Sequence, residues 1–392
     1  MRLPAFRMIL SAAAVALMTT AAPAQDFHGF TPTGFSGEML SADALAAAVV
    51  DAMKKSPPKN GEKYVLAFAN LDRGISFCAK VEEGIKKNAE AAGIELVIAD
   101  NNLDGATALT NAESFINRNV DYVIEFQTDA NFGATIMQKM NDAGIKVTAI
   151  DIPMPGATFF GANNPKSGYM GGVYLGQAAI AKFGADKVKQ GYFILGDLPQ
   201  SGAVPAMRTG GQKAGFLAAV EGFPADNIIV IDTKNTLEES FAQTNNVLGR
   251  IPAGVPIMAT AINDQATTGI IRAVKQAGRE ADLIAVGMGA DELATMMSEP
   301  SFVASVGYFP ERYGNFLVPM ALAELAGIDL PPTVLMTHVM VDKGNICNYY
   351  PDFKCEGTSL ELAFPQEAFV KHLEDIRKSP DMADALDLIP TE

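Results

Sequence analysis

From residue 64 onward the chain alternates compact apolar runs with longer stretches in which apolar residues recur at helical spacing. The runs at 64–69, 94–99, 122–126, 145–150, 191–195, 228–231 and 257–261 have strand length and little polar alternation, the pattern of strands buried on both faces. Between the first two, Val81, Ile85, Ala89 and Ala92 mark one face of a helix, and Gly93 stands where a helix ends in left-handed backbone. The same phrase then recurs. AAGIELVIAD, closing on Asp100, is matched by DAGIKVTAID, closing on Asp151, and again by QAGREADLIAVG with Gly278 as the stop. Helix, glycine and strand in repetition predict a parallel sheet covered on both faces. Right-handed crossovers make it a doubly wound α/β fold. About ten strands are many for one sheet, and they divide into two similar halves.

The start of the chain reads differently. Arg2 and Arg7 open it, residues 8–18 are almost continuously apolar, and Ala22-Pro23-Ala24 supplies small residues for cleavage. This predicts a secretory signal peptide over residues 1–24. The alternative, a membrane anchor, is disfavoured because the run is short for a bilayer. No Cys follows it for lipid attachment. Residues 25–62 read as a leader and linker with one short helix, 42–55, stopped by Ser56-Pro57-Pro58. Charged residues interrupt every later apolar run, so no other segment reads as membrane-spanning.

Export changes the meaning of the cysteines. Cys347 and Cys355, with seven residues between them, predict a local disulfide that closes a loop. Cys78 is left over and reads as a buried small hydrophobe. The net charge of −15 becomes −17 once Arg2 and Arg7 are lost (−15 − 2), which argues against a nucleic-acid partner. An acidic, soluble monomer is the plainest reading. With 48% hydrophobic and 19% charged residues, the chain can build full-sized cores.

In doubly wound sheets ligands sit outside the C-terminal ends of the strands, so the residues just after each run are the candidates. In the first half these are Asn70, Arg73, Asp100, Asn101, Gln127 and Asp151. In the second they are Asp197, Asn235, Asn263, Asp264 and Asp291. Carboxylates accept from hydroxyls, amides do both, and Arg donates in a fixed fork, which is what a hydroxyl-rich ligand needs. Phe77, Phe126, Tyr308 and Phe309 are candidates to pack its C–H faces. The same residue types also cap helices. Asp104, Thr128, Asp129 and Asp264 are read first as caps, and in the pair Asn263-Asp264 one residue is free to cap while the other reaches the ligand.

Sharper motifs fail. Asp100-x-Asn102-x-Asp104-Gly105 opens like a calcium loop, but Asn111 stands where a bidentate Glu is required. Gly287-Met288-Gly289 lacks the third glycine of a dinucleotide loop. His28, His338 and His372 show no metal spacing, and neither a nucleophile elbow nor a P-loop occurs. No catalytic residue, metal or cofactor is expected.

Several phrases from residue 64 to about 341, taken in order, resemble one family. FCAKVEEGIKKNAEAAGIELVIADNN, VDYVIEFQTDA, AGIKVTAID, RTGGQKAGF, IND followed by GIIRAVKQAG, and VASVGYFPERYG are similar to the ribose- and galactose-type periplasmic binding proteins of ABC importers. The resemblance implies two doubly wound parallel-sheet lobes joined by three hinge crossings, near Asn164, Tyr308 and Thr333. One lobe would comprise 63–164 with 309–333 and the other 165–308 with 334–344, leaving 345–392 as a C-terminal extension. Carried over by position, the ligand contacts would be Asn70, Phe77, Phe126, Asp151, Arg208, Asn263 and Tyr308, with Asp291 as a further candidate. Phe126 stands where sugar binders often carry a polar group, and Tyr308 replaces a common Gln. The polar set is therefore thinner than a pyranose calls for.

The implied function is a periplasmic receptor that captures a small sugar or sugar alcohol for an inner-membrane ABC permease. The alternative is a sensor subunit that presents a small signal molecule to a membrane kinase. A sugar-responsive transcription regulator would need a helix-turn-helix and a cytosolic chain. An exported hydrolase would need a nucleophile with its base, or paired carboxylates, and no local motif supplies them.

Overall fold

The computed structural model describes residues 38–127 and 129–390. The predicted signal peptide, the leader up to residue 37, and Thr128 lie outside the described residues. The chain begins with helix α1 (Ala42–Lys55), then β1 (Val65–Asn70), α2 (Ser76–Ala91), β2 (Glu95–Asp100), α3 (Gly105–Asn117), β3 (Tyr122–Glu125), α4 (Ala130–Asp142), β4 (Lys146–Ile150) and β5 (Thr158–Ala162). It continues with α5 (Asn164–Phe183), α6 (Ala185–Val188), β6 (Tyr192–Asp197), α7 (Ala203–Ala219), β7 (Ile228–Asp232), α8 (Leu237–Leu248), β8 (Ile257–Ala261), α9 (Asp264–Gln276), β9 (Leu283–Gly289), α10 (Leu293–Ser298) and β10 (Phe302–Gly307). It ends with α11 (Gly314–Leu325), β11 (Thr333–Met336), β12 (Val339–Asp342) and α12 (Gln366–Arg377).

The strands form two six-stranded sheets. The first runs β2-β1-β3-β4-β5-β11 and is parallel throughout. The second runs β7-β6-β8-β9-β10-β12 and is parallel except that β12 is antiparallel to β10. The halves share one strand order, so the repeated phrase in the sequence is a repeated topology. Its punctuation is physical. At Gly93, Gly144 and Gly278 φ is +68°, +62° and +70°. Each glycine N–H returns to the preceding turn (Glu90, Asn141 and Lys275 carbonyls), and the next residue's N–H reaches one turn further back (Ala89, Met140 and Val274). This double return satisfies the orphan carbonyls at a helix end, and only a residue without Cβ adopts it freely.

Three crossings join the lobes. The first lies between β5 and α5 at Asn163, and the second between β10 and α11 around Tyr308. The third is at Thr337 and His338, four residues beyond the expected Thr333, because Thr333–Met336 pair with Phe159–Ala162 of the first sheet. Residues 334–336 thus belong to the first lobe. The leader also needs correction. From Ala42 it is no free linker: α1 packs on α11 and α2 and buries Leu45, Ala48 and Ala52 in the main core. The C-terminal extension folds back on the second lobe. There α12 buries Phe369 and Leu373 against α5 and α7, in a cluster that also takes in Phe159 of the first lobe. Cys347 and Cys355 are disulfide-bonded, as their spacing predicts, and Cys78 is free and buried.

One contact positions the site directly. Helices α5 and α7 touch backbone to backbone. A Cβ on Gly168 would fall 2.0 Å from the Arg208 carbonyl oxygen, and one on Gly172 would fall 2.0 Å from that of Gln212. This approach carries Arg208, on α7, to the first residue of α5.

Candidate functional site: the cleft between the lobes

In each sheet the strand order reverses beside the first strand, between β1 and β3 in one lobe and between β6 and β8 in the other. Such switch points are where doubly wound sheets hold ligands. The two face one another, and between them lies a cavity of about 60 Å³. Its walls come from the ends of those strands: Leu71 after β1, Phe126 after β3, Leu198 after β6, and Ile262 with Asn263 after β8.

Six of the eight predicted contacts line it: Phe77, Phe126, Asp151, Arg208, Asn263 and Tyr308. Arg208 enters from α7. Its Nε donates to Asn164 Oδ1 (2.9 Å), its Nη1 donates to the Ile262 carbonyl (2.9 Å), and its guanidinium lies 4.9 Å from the Tyr308 ring centre. Among the described residues no carboxylate forms an ion pair with it. Asp151 follows β4 in left-handed backbone (φ +53°). Its Oδ1 accepts from the Ala162 N–H (2.8 Å) and its Oδ2 accepts from the Tyr313 hydroxyl at the longer distance of 3.4 Å. Burial raises its carboxyl above the usual range, and the charge of Arg208 opposes that rise.

Asn263 has two tasks. Its Oδ1 accepts from the Ala266 N–H (2.7 Å) as the cap of α9, and its Nδ2 donates to Asn235 Oδ1 (2.8 Å). The expected division with Asp264 is not what occurs. Asp264 is buried behind the cavity, where it accepts from Ser305 Oγ (2.6 Å) and from the N–H groups of Asp291 (2.9 Å) and Glu292 (3.2 Å). Tyr308 presents its ring, while its hydroxyl is engaged with Ser167 Oγ (2.7 Å). Burial pushes that phenol up to about 12. Phe77 meets Tyr308 and Tyr313 edge-on, at 6.1 and 5.5 Å between ring centres.

Asn70 and Asp291 do not line the cavity. Asn70 turns inward to the largely buried carboxylate of Glu82, donating to its Oε2 (2.9 Å) and to the Cys78 carbonyl (3.2 Å). Arg73 and Lys86 hold the same carboxylate. Asp291 instead joins the lobes. It accepts a short hydrogen bond from the Ser76 hydroxyl, and its carbonyl accepts from Lys80 Nζ (2.6 Å), both donors on α2. Burial and the neighbouring Asp264 charge push the Asp291 carboxyl well up. Asp104 and Asp129 are caps, accepting from the N–H groups of Thr107 (2.7 Å) and Asn131 (2.9 Å).

Beside the cavity, His338 ties the crossings together. Its Nε2 accepts from the Asn163 N–H (3.0 Å), so Nδ1 carries the proton and donates to the Gly307 carbonyl (3.2 Å). Burial lowers its pKa to about 3, which keeps the ring neutral.

Two parallel-sheet lobes, three crossings and a cleft at facing switch points describe a known architecture. A profile of the periplasmic binding protein domain matches residues 66–329. The chain belongs to this family. The resemblance read from residues 64–341 is thereby borne out. The ribose import binding protein of Bacillus subtilis is 23% identical over 286 residues, covering 72% of this chain and 88% of that one. The D-xylose-binding periplasmic protein of Escherichia coli is 25% identical over 276 residues, covering 66% and 81%. Among solved structures, an ABC transporter solute-binding protein from Bacillus halodurans with bound myo-inositol superposes with a TM-score of 0.62 at 21% identity. That match covers 74% of this chain and 98% of that one.

Sequence reasoning missed other parts of this binding protein's cleft. Ser201 lies in a short helical turn after β6, and its buried hydroxyl has no protein partner. Asn235 stood among the strand-end candidates but was not carried forward. Its left-handed backbone (φ +65°) turns it into the cavity beside Asn263. The apolar wall of Leu71, Ile75, Ile152 and Met288 had no signal, because core and cleft residues look alike in a strand-helix pattern.

Proposed function

We infer that this protein is the substrate-binding component of an ABC importer. It works in the periplasm, captures a small sugar or sugar alcohol between its lobes and delivers it to the inner-membrane permease. The observation that carries this reading is the cavity at the facing switch points, with Arg208 and Asp151 reaching it from opposite lobes. The activity needs no bond chemistry. Ligand hydroxyls exchange water for Arg208, Asp151 and the Asn235–Asn263 pair while apolar walls close over the carbon skeleton. Closing brings Ser76 and Lys80 to Asp291, so the loaded shape differs from the empty one and a permease has something to read. Ribose, xylose and myo-inositol, the ligands for which those relatives are named or with which they were solved, are of this class.

A thermal-shift panel of sugars, sugar alcohols, nucleosides and amino acids tests the reading. A ligand at a hundred times its Kd adds about 2.7 kcal/mol, a rise of several degrees. A rise with a polyol supports the receptor. A rise confined to nucleosides or amino acids overturns the ligand class. With the hit in hand, Arg208→Ala is expected to weaken binding by about 2–4 kcal/mol, because a ligand acceptor loses a charged donor in a buried site. Unchanged affinity in a folded variant would remove Arg208 from the site.

A further inference from the structure

Asp291 follows β9 on the second lobe and is buried where α2 of the first lobe meets it. The Ser76 hydroxyl, on α2, donates to its Oδ2. Its Oδ1 is buried without a hydrogen-bond partner among the described residues. A Cβ added at Gly289 would fall 2.3 Å from that oxygen and 3.5 Å from the Phe77 ring, so little space is left around it. The groups that face Asp291 offer little charge compensation. Asp264, at the start of α9, is a second buried carboxylate, but a satisfied one, held by Ser305 Oγ and by the N–H groups of Asp291 and Glu292. Glu292, the next residue, adds negative charge. Lys80 on α2 is the facing cation. Its Nζ donates to the Asp291 carbonyl (2.6 Å) and not to the carboxylate, and its charge also acts on Glu311. Cys78 on α2 and Tyr350 of the C-terminal extension complete the titratable set, and burial keeps both neutral.

Of two adjacent buried carboxyls, the one with an unpartnered oxygen is the one that takes a proton, because a neutral acid leaves water at far lower cost than a charge. The donors that cover Asp291 come from the other lobe. When the lobes part, Ser76, Phe77 and Lys80 withdraw and water reaches the carboxylate. We propose that the cleft closes with uptake of a proton at Asp291, so that acidity favours the closed shape. Burial and the Asp264 charge raise this carboxyl in the closed shape. The linkage therefore favours closure in full below about pH 4, the ordinary carboxylate range, and is lost as pH rises through the closed-state value. It goes beyond the receptor reading and holds for any ligand.

Single-molecule fluorescence transfer on the ligand-free protein tests it. Dyes go on cysteines introduced at exposed Asn117 of α3 and Asn245 of α8, while buried Cys78 stays unlabelled. These helices lie near β2 and β7, at the sheet edges opposite β11 and β12. From pH 8 to pH 5 the closed-to-open ratio is expected to rise roughly ten-fold or more in the parent. In Asp291→Asn, checked for folding by urea unfolding, it is expected to stay within about two-fold across the same range. Asp291→Ser, which removes the carboxyl altogether, is expected to be equally flat. Asp151, the carboxylate lining the ligand cavity, is present in all three proteins and serves as the internal control. A ratio that does not change with pH in the parent, one with no closed molecules at either pH included, overturns the proposal. So does a pH dependence that survives undiminished in the variants. Because no ligand is added, either result leaves the receptor reading to its own test.

Discussion

Glu125 shows how much a single side chain can weigh in this fold. It ends β3, fully buried, with Oε1 accepting from Asn101 Nδ2 (3.0 Å) and Oε2 without a partner. Burial raises its pKa from 4.5 to about 8, so the native state holds a proton that the unfolded chain releases at lower pH. The sign follows. Its contribution to stability is complete below about pH 4.5 and is lost as pH rises through about 8. Glu125→Gln, which mimics the protonated form, is expected to match the parent in urea unfolding near pH 4. Near pH 9 it should exceed the parent by on the order of 3 kcal/mol. At this scale the sequence was legible where a residue type has one use. Arg208 was legible only through the resemblance, which carries it over on the phrase RTGGQKAGF. Asn70 and Asp291 were misplaced because a side chain's direction is decided by distant partners. Glu82 draws Asn70 inward and Ser76 takes Asp291 across the cleft, and neither pairing leaves a mark in local sequence.

Among the elements, the α5–α7 pair matters most to the site. Gly168→Ala would place a methyl 2.0 Å from the Arg208 carbonyl oxygen, and the helices must then separate. The expected loss is about 1–3 kcal/mol of stability, read from the urea midpoint. Ligand affinity should weaken with it, because Arg208 moves with α7. An alanine at Gly210, where a Cβ meets nothing within 4 Å, is the control and is expected to leave affinity alone. The helix-glycine-strand units were legible because three glycines end three helices in the same way. The strands β5, β11 and β12 were not singled out. β5 follows β4 and β12 follows β11 with no helix between them, so no helix-glycine-strand phrase marks them. The antiparallel placement of β12 follows from its return through a hinge, which local patterning does not record.

At the scale of the whole molecule, three polar contacts among the described residues reach from the α2 end of the first lobe to the second. Ser76 and Lys80 reach Asp291, and Gln265 Nε2 reaches the Gly74 carbonyl at 3.4 Å. Removing the first two with Ser76→Ala and Lys80→Ala leaves every cavity-lining side chain in place. The double variant is expected to bind ligand about 1–2 kcal/mol more weakly, with the change in the dissociation rate, as stopped-flow fluorescence of a labelled lobe would show. The two-lobed plan was legible from the doubled phrase, and the third crossing was displaced because β11 looks like the start of the second lobe until its pairing is seen. The crossings themselves are pinned together. One neutral imidazole, His338, rides in the third, holds the backbone of the first at Asn163 and grips the second at Gly307. Three ribbons joined at one ring cannot slide past one another without breaking its two hydrogen bonds, to the Asn163 N–H and to the Gly307 carbonyl.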